Sequence, residues 1–239
     1  MKRTFLTLGL IWIVLETGAQ REEFMESGLA MTTRVYQNLI GSATCFISGV
    51  PVSDPAIQLN SGDQLELHFD ALGSSYHDYT FFAVHCDANW NPTDLEANEY
   101  IQGFNTLNIS DFDDSFNTRV PYVHYRAYFP CDLMKPRYSG NYLLVVTPED
   151  EGGNPVLTQR VVVYEQICPL TLEAKLSSTV SHRYSHQEVD ARLGTRDYQI
   201  FNASEDLHVT ILQNFEWSTA KTNIQPQFIK SDEITFDLY

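Results

Sequence analysis

The sequence predicts an all-β protein: an immunoglobulin-like antiparallel β-sandwich followed by a second β-sandwich domain that reads as incomplete. Two observations predict it. Period-two alternation dominates, with Leu65, Leu67 and Phe69 set against Glu66, His68 and Asp70, and Leu170, Leu172, Ala174 and Leu176 set against Thr171, Glu173 and Lys175. That is the pattern of half-buried antiparallel strands. The strand-like stretches are also short, and turn clusters such as Glu151-Gly152-Gly153-Asn154-Pro155 separate them, as a sandwich requires.

The chain opens on a basic tip, Lys2 and Arg3, then an apolar run from Phe5 to Leu15, then the small residues Thr17, Gly18 and Ala19. This reads as a cleaved secretory signal peptide over residues 1–19, with the mature chain starting at Gln20. Glu16 ends the run before it is long enough to span a bilayer, and no later stretch is long and apolar enough for a transmembrane helix. No Cys stands at the cleavage position, so no lipid anchor is expected there.

Further strands are expected at residues 43–49, 78–86, 121–129, 141–148, 156–165, 187–193 and 206–213. Two of them carry apolar residues on both faces. Tyr79, Phe81 and Ala83 oppose Phe82, Val84 and Cys86, and Tyr142, Leu144 and Val146 oppose Leu143 and Val145, which predicts central strands or strands with a covered outer face. After Asn91-Pro92, Thr93 with Glu96 reads as a capping box and Gly103 as a stop, so a short helical turn is expected between strands.

Past Tyr164 the chain runs through Glu165-Gln166-Ile167-Cys168-Pro169 into a new alternating strand, which sets a domain boundary near residue 167. The first domain is then 20–166 and the second 167–239. The second shows four or five strands and stops at Phe236-Asp237-Leu238-Tyr239, inside a strand. A sandwich of the usual size needs about seven strands, so this domain reads as truncated or completed by something else.

The formal charge of −16 becomes −17 once Lys2, Arg3 and Glu16 are removed. Such a surface repels phosphate backbones and anionic lipid, which argues against nucleic acid and direct membrane insertion. Cys45, Cys86, Cys131 and Cys168 lie in the exported part, where disulfides persist, and three complete pairings are open to them. Their spacing has no C-x-x-C pattern for zinc.

Chemistry has few places to reside. No nucleophile elbow, H-E-x-x-H, phosphate loop or EF-hand spacing is present, so an enzyme is not expected and neither is a cofactor. His182 and His186 would share a face of a helix, but between Arg183-Tyr184-Ser185 and a strand they read as a solvated loop. Asp111, Asp113 and Asp114 lack the following Gly and bidentate Glu of a calcium loop and read as a solvated turn. Paired carboxylates for glycoside hydrolysis cannot be singled out among 31 acidic residues. Aromatics crowd residues 85–142, where core, sugar platform and protein interface all compete for them.

Five motifs carry a more specific signal. They are His85-Cys86-Asp87-Ala88-Asn89-Trp90, Glu99-Tyr100-Ile101-Gln102-Gly103-Phe104, Ser115-Phe116-Asn117-Thr118, Tyr122-Val123-His124-Tyr125 and Ser139-Gly140-Asn141-Tyr142. In this order and spacing they resemble the N-terminal domain of the plug protein of the type IX secretion system, over most of residues 35–166. Gln213-Asn214-Phe215-Glu216-Trp217 and Pro226-Gln227-Phe228-Ile229 resemble the start of that family's second domain. The resemblance implies a periplasmic, non-enzymatic subunit that binds and seals the periplasmic mouth of an outer-membrane translocon barrel. A barrel of roughly thirty-six strands has a wide lumen that leaks unless blocked. The motif residues are expected either to fix turns and core packing or to touch the partner.

The rival is an envelope carbohydrate-binding sandwich, with Trp90, Tyr100 or Trp217 as its stacking platform. It requires those rings to be exposed.

Overall fold

The computed structural model describes residues 29–149 and 154–238, which form two compact units divided between Tyr164 and Glu165. The predicted signal peptide lies outside the described residues.

In the first unit β1 (Arg34–Val35), β2 (Ile40–Ile47), β3 (Ala56–Gln58), β4 (Leu65–Leu72) and β5 (Tyr79–Cys86) lead into a one-turn helix α1 (Ala97–Tyr100). There follow β6 (Ile101–Gly103), β7 (Thr106–Asn108), β8 (Asp111–Asp114), β9 (Tyr122–Phe129), β10 (Met134–Pro136), β11 (Gly140–Pro148) and β12 (Leu157–Tyr164). One sheet runs β1-β12-β11-β5-β7, with β3 pairing β12 in parallel, and the other runs β2-β4-β9-β8. Their inner faces meet in one core. Phe69 of β4 lies 5.3 Å from Tyr79 of β5, and Phe129 of β9 lies 5.7 Å from Tyr142 of β11.

Alternation in sequence becomes alternation in burial. Leu65, Leu67, Phe69 and Ala71 are buried while Glu66, His68 and Asp70 between them are half-buried on the outer face. The two doubly apolar stretches are indeed interior neighbours, β5 and β11, and the outward Leu143 and Val145 are as buried as the inward Leu144 and Val146. Tyr142, near the start of β11, donates its hydroxyl back to the Tyr138 carbonyl at 2.8 Å, the corner contact typical of immunoglobulin-like sandwiches.

Several expectations need correction. The helix is capped by Glu96 in a box with Glu99, not by Thr93, and it ends at Tyr100 well before Gly103. Thr93 is held elsewhere: its N–H donates to the His85 carbonyl at 3.0 Å, because Pro92 bridges Cys86 and keeps the chain extended beside β5. The acidic run is strand β8, not a solvated turn, and Arg126 of β9 draws Asp111 and Asp113 onto the sheet. All four cysteines are free thiols, and none of the pairings left open is made.

Among its described residues the second unit holds six strands, β13 (Leu170–Leu176), β14 (Gln187–Gly194), β15 (Val209–Ile211), β16 (Lys221–Ile224), β17 (Phe228–Ile229) and β18 (Glu233–Leu238). They form a sheet β13-β14-β18-β17 and a ribbon β15-β16. The strand expected over 206–213 is shorter, because Ala203–Asp206 forms a helical turn, α2, ahead of it. Ala191, Ala203, Ile234 and Phe236 make a small core. His182 closes a 3₁₀ turn, Val180–His182, and His186 lies in the exposed loop that leads into β14, with the two rings stacked 4.6 Å apart.

Candidate functional site

Three of the five motifs come together where β5 ends. Asp87 builds the turn: its Oδ1 accepts the N–H groups of Asn89 and Asn91, each at 2.8 Å, and its Oδ2 accepts the Asn91 amide at 3.0 Å. These bonds favour the charged carboxylate and hold its pKa down, the Asn91 side chain most of all. The turn places Trp90 at a φ of 66°, a conformation that costs a bulky residue energy, and its ring is buried. The guanidinium of Arg160, from β12, lies 4.3 Å from the centre of that ring.

The motif Ser139-Gly140-Asn141-Tyr142 fastens this turn to β11. Asn141 donates to the Asp87 carbonyl at 2.9 Å, and His85 reaches the Thr93 hydroxyl at 3.0 Å and the Ser139 carbonyl at 3.4 Å. The His85 ring packs 5.0 Å from Tyr142 and 5.6 Å from Tyr100, whose hydroxyl donates to the Ala83 carbonyl at 3.1 Å. Gly140, at a φ of 149°, passes so close that a Cβ there would meet His85 Nε2 at 2.5 Å. Desolvation lowers the His85 pKa, partly offset by the bond to Ser139. Burial pushes the Cys86 thiol up to about 12. Gly103, with a φ of 108°, is required by its own neighbour, since a Cβ would meet the Leu133 carbonyl at 2.1 Å.

The other two motifs lie on the opposite sheet, away from this cluster. Ser115 closes the β8–β9 loop: its N–H donates to the Tyr122 carbonyl and its hydroxyl accepts the Tyr122 N–H, both at 2.9 Å, and the Thr118 hydroxyl at 3.0 Å. Asn117 takes a φ of 56° at the tip. Tyr125 is core, stacked on Phe69 at 5.1 Å and bonded to the His77 backbone. His124 lies on the outer face, bonded to Asp70 and His68.

Among the five motifs of the first unit, two side chains face solvent with an apolar surface, Phe104 at 61% and Phe116 at 94% exposure. Beside the Phe116 loop, Leu39, Leu72, Tyr76 and Val120 are exposed as well, and the Tyr76 ring lies 4.6 Å from Phe112. No motif announced these neighbours, nor Arg160. The stacking platform of the carbohydrate reading is not there: Trp90 and Tyr100 are buried, and Trp217 is half-buried in the second unit. Among the described residues no group of three or more His, Cys, Asp or Glu side chains converges as for a metal, and no described helix is long and apolar enough to cross a membrane.

A two-sheet antiparallel sandwich whose distinctive residues lock turns and leave aromatic rings on its loops is immunoglobulin-like in architecture. Residues 40–165 match the family model of the type 9 secretion system plug protein 1st domain, and the chain belongs to that family. Its fold is similar to the crystal structure, at 2.30 Å resolution, of a hypothetical protein from Parabacteroides merdae ATCC 43184, with a TM-score of 0.83 and 29% identity over 87% of this chain. The chain spans about half of that relative, 52% of its length. No functionally curated protein matches it.

Proposed function

We propose that the protein is a non-enzymatic subunit of the type 9 secretion machinery that binds and seals the periplasmic mouth of the outer-membrane translocon barrel. The observation that carries this reading is the family match across the first sandwich, residues 40–165. Family membership supports a part in type 9 secretion and a place in the cell envelope. The barrel as direct partner, export by a cleaved signal peptide, and attachment to the outer membrane through that partner belong to the proposal.

The buried residues of the first unit's motifs hold turns and core, which leaves Phe104 and Phe116 as that unit's motif side chains able to enter a partner's pocket. Docking of this kind joins an apolar anchor to a polar edge, and the acidic surface keeps the unbound protein in solution. Affinity purification of the tagged native protein from solubilised envelopes tests the reading. A very large outer-membrane barrel recovered in near-equal amount supports it; recovery of the protein without any barrel refutes it.

A further inference from the structure

The outer face of the β2-β4-β9-β8 sheet carries an unbroken row of polar contacts. Asp70 Oδ1 lies 2.6 Å from His124 Nδ1, His124 Nε2 lies 3.1 Å from His68 Nδ1, and His68 Nε2 lies 2.8 Å from Glu66 Oε2. Both carboxylates are anchored by serines, Asp70 by the Ser42 hydroxyl of β2 at 2.5 Å and Glu66 by the hydroxyl of Ser48, just past the end of β2. The four side chains are 19–26% exposed, so the row is partly shielded from water.

Proton counting decides what this geometry requires. Each of the three links needs one proton, and ionised carboxylates can only accept, so the four ring nitrogens must carry three. Two neutral imidazoles bring two protons, which leaves a nitrogen lone pair facing either a carboxylate or the other ring. Two imidazolium rings bring four, which sets N–H against N–H across the 3.1 Å gap. Only one neutral ring with one charged ring satisfies every link.

We infer that His68 and His124 form a proton-sharing pair, one ring charged and one neutral, which together hold three protons on four ring nitrogens between two carboxylates. The surrounding charges favour this state. On β4 the facing groups are Glu66 and Asp70; on β9, Arg126 and Tyr128; on β8, Asp111 and Asp113; and β2 presents Ser42, Thr44 and Phe46, with Ser48 just beyond its end and the Phe46 ring 4.9 Å from His68. The carboxylates favour the shared proton. Arg126, paired across the sheet with His68 and bound to Asp111 and Asp113, opposes a fourth. The Ser48 hydroxyl, ahead of His68 itself, holds the Glu66 pKa down, so Glu66 remains an acceptor as the medium acidifies. The face therefore gains a charge and loses a link when the pair takes a fourth proton, and loses both a charge and a link when it gives up the third.

Long-range ¹H–¹⁵N spectra of the His-labelled full chain across a pH series test this directly. The wild-type spectra are expected to show an intermediate with three protonated nitrogens on these two rings, and His68→Gln is expected to change the His124 spectra. A passage from two to four protonated nitrogens in one step, or His124 spectra unchanged by His68→Gln, overturns the inference. The wild-type count decides it even where the variant does not fold.

Discussion

The Asn141 side chain donates to the Asp87 carbonyl at 2.9 Å, tying the first residues of β11 to the turn that closes β5. Two motifs that lie 54 residues apart thereby become one structural unit. Asn141→Ala removes the donor and frees a backbone acceptor at an exposed site, so a loss of about 1 kcal/mol is expected by urea unfolding at unchanged m-value.

Gly140→Ala is expected to cost more, about 1–3 kcal/mol, from two sources. The φ of 149° strains any side chain, and the added Cβ presses on His85 Nε2. Combining it with His85→Ala relieves the contact alone. The double-mutant cycle should therefore show partial compensation and leave the backbone cost behind.

The stability of the first unit should fall on mild acidification because of His85. Its folded pKa is lowered by burial, while the unfolded value is about 6.5. Below that value the unfolded chain binds the proton first, so stability drops as pH falls from about 7 towards the folded pKa and levels off beneath it. In His85→Gln this component of the pH dependence should vanish in denaturation curves collected between pH 5 and 7.5.

Phe104→Ala and Phe116→Ala should leave the melting temperature almost unchanged, since both rings stand in solvent. Under the proposed docking, at least one of them should weaken recovery of the barrel partner by tenfold or more. Full binding by the double variant would place the interface on other residues.

Four thiols should be titratable after unfolding without reductant, because all four cysteines are free. In the folded protein Cys45 and Cys86 should react slowly at pH 8, as burial pushes both thiols up to about 12.

Much of the fold was legible because burial on one face leaves a period in the sequence, as in Leu65, Leu67 and Phe69, and burial on both faces leaves an apolar run, as in β5 and β11. Capping was misplaced because Thr93 and Glu96 have the right spacing, while only the bridge between Cys86 and Pro92 shows that Thr93 is taken up by His85. The acidic run hid its nature for a similar reason: Asp111 and Asp113 are strand residues through pairing with the distant β9, where Arg126 offsets their charge. The motifs pointed to the correct family, yet which of their side chains are turn locks and which are exposed depends on register and loop path. The same limit hid the His68–His124 pair, whose members lie on two strands with a pairing that no local pattern fixes.

Conductance of the purified outer-membrane translocon barrel in a planar bilayer tests the sealing role most directly. Addition of this protein from the periplasmic side is expected to close the large open channel, and Phe104→Ala/Phe116→Ala to do so far less well. An open channel that stays open at saturating protein would contradict a sealing role.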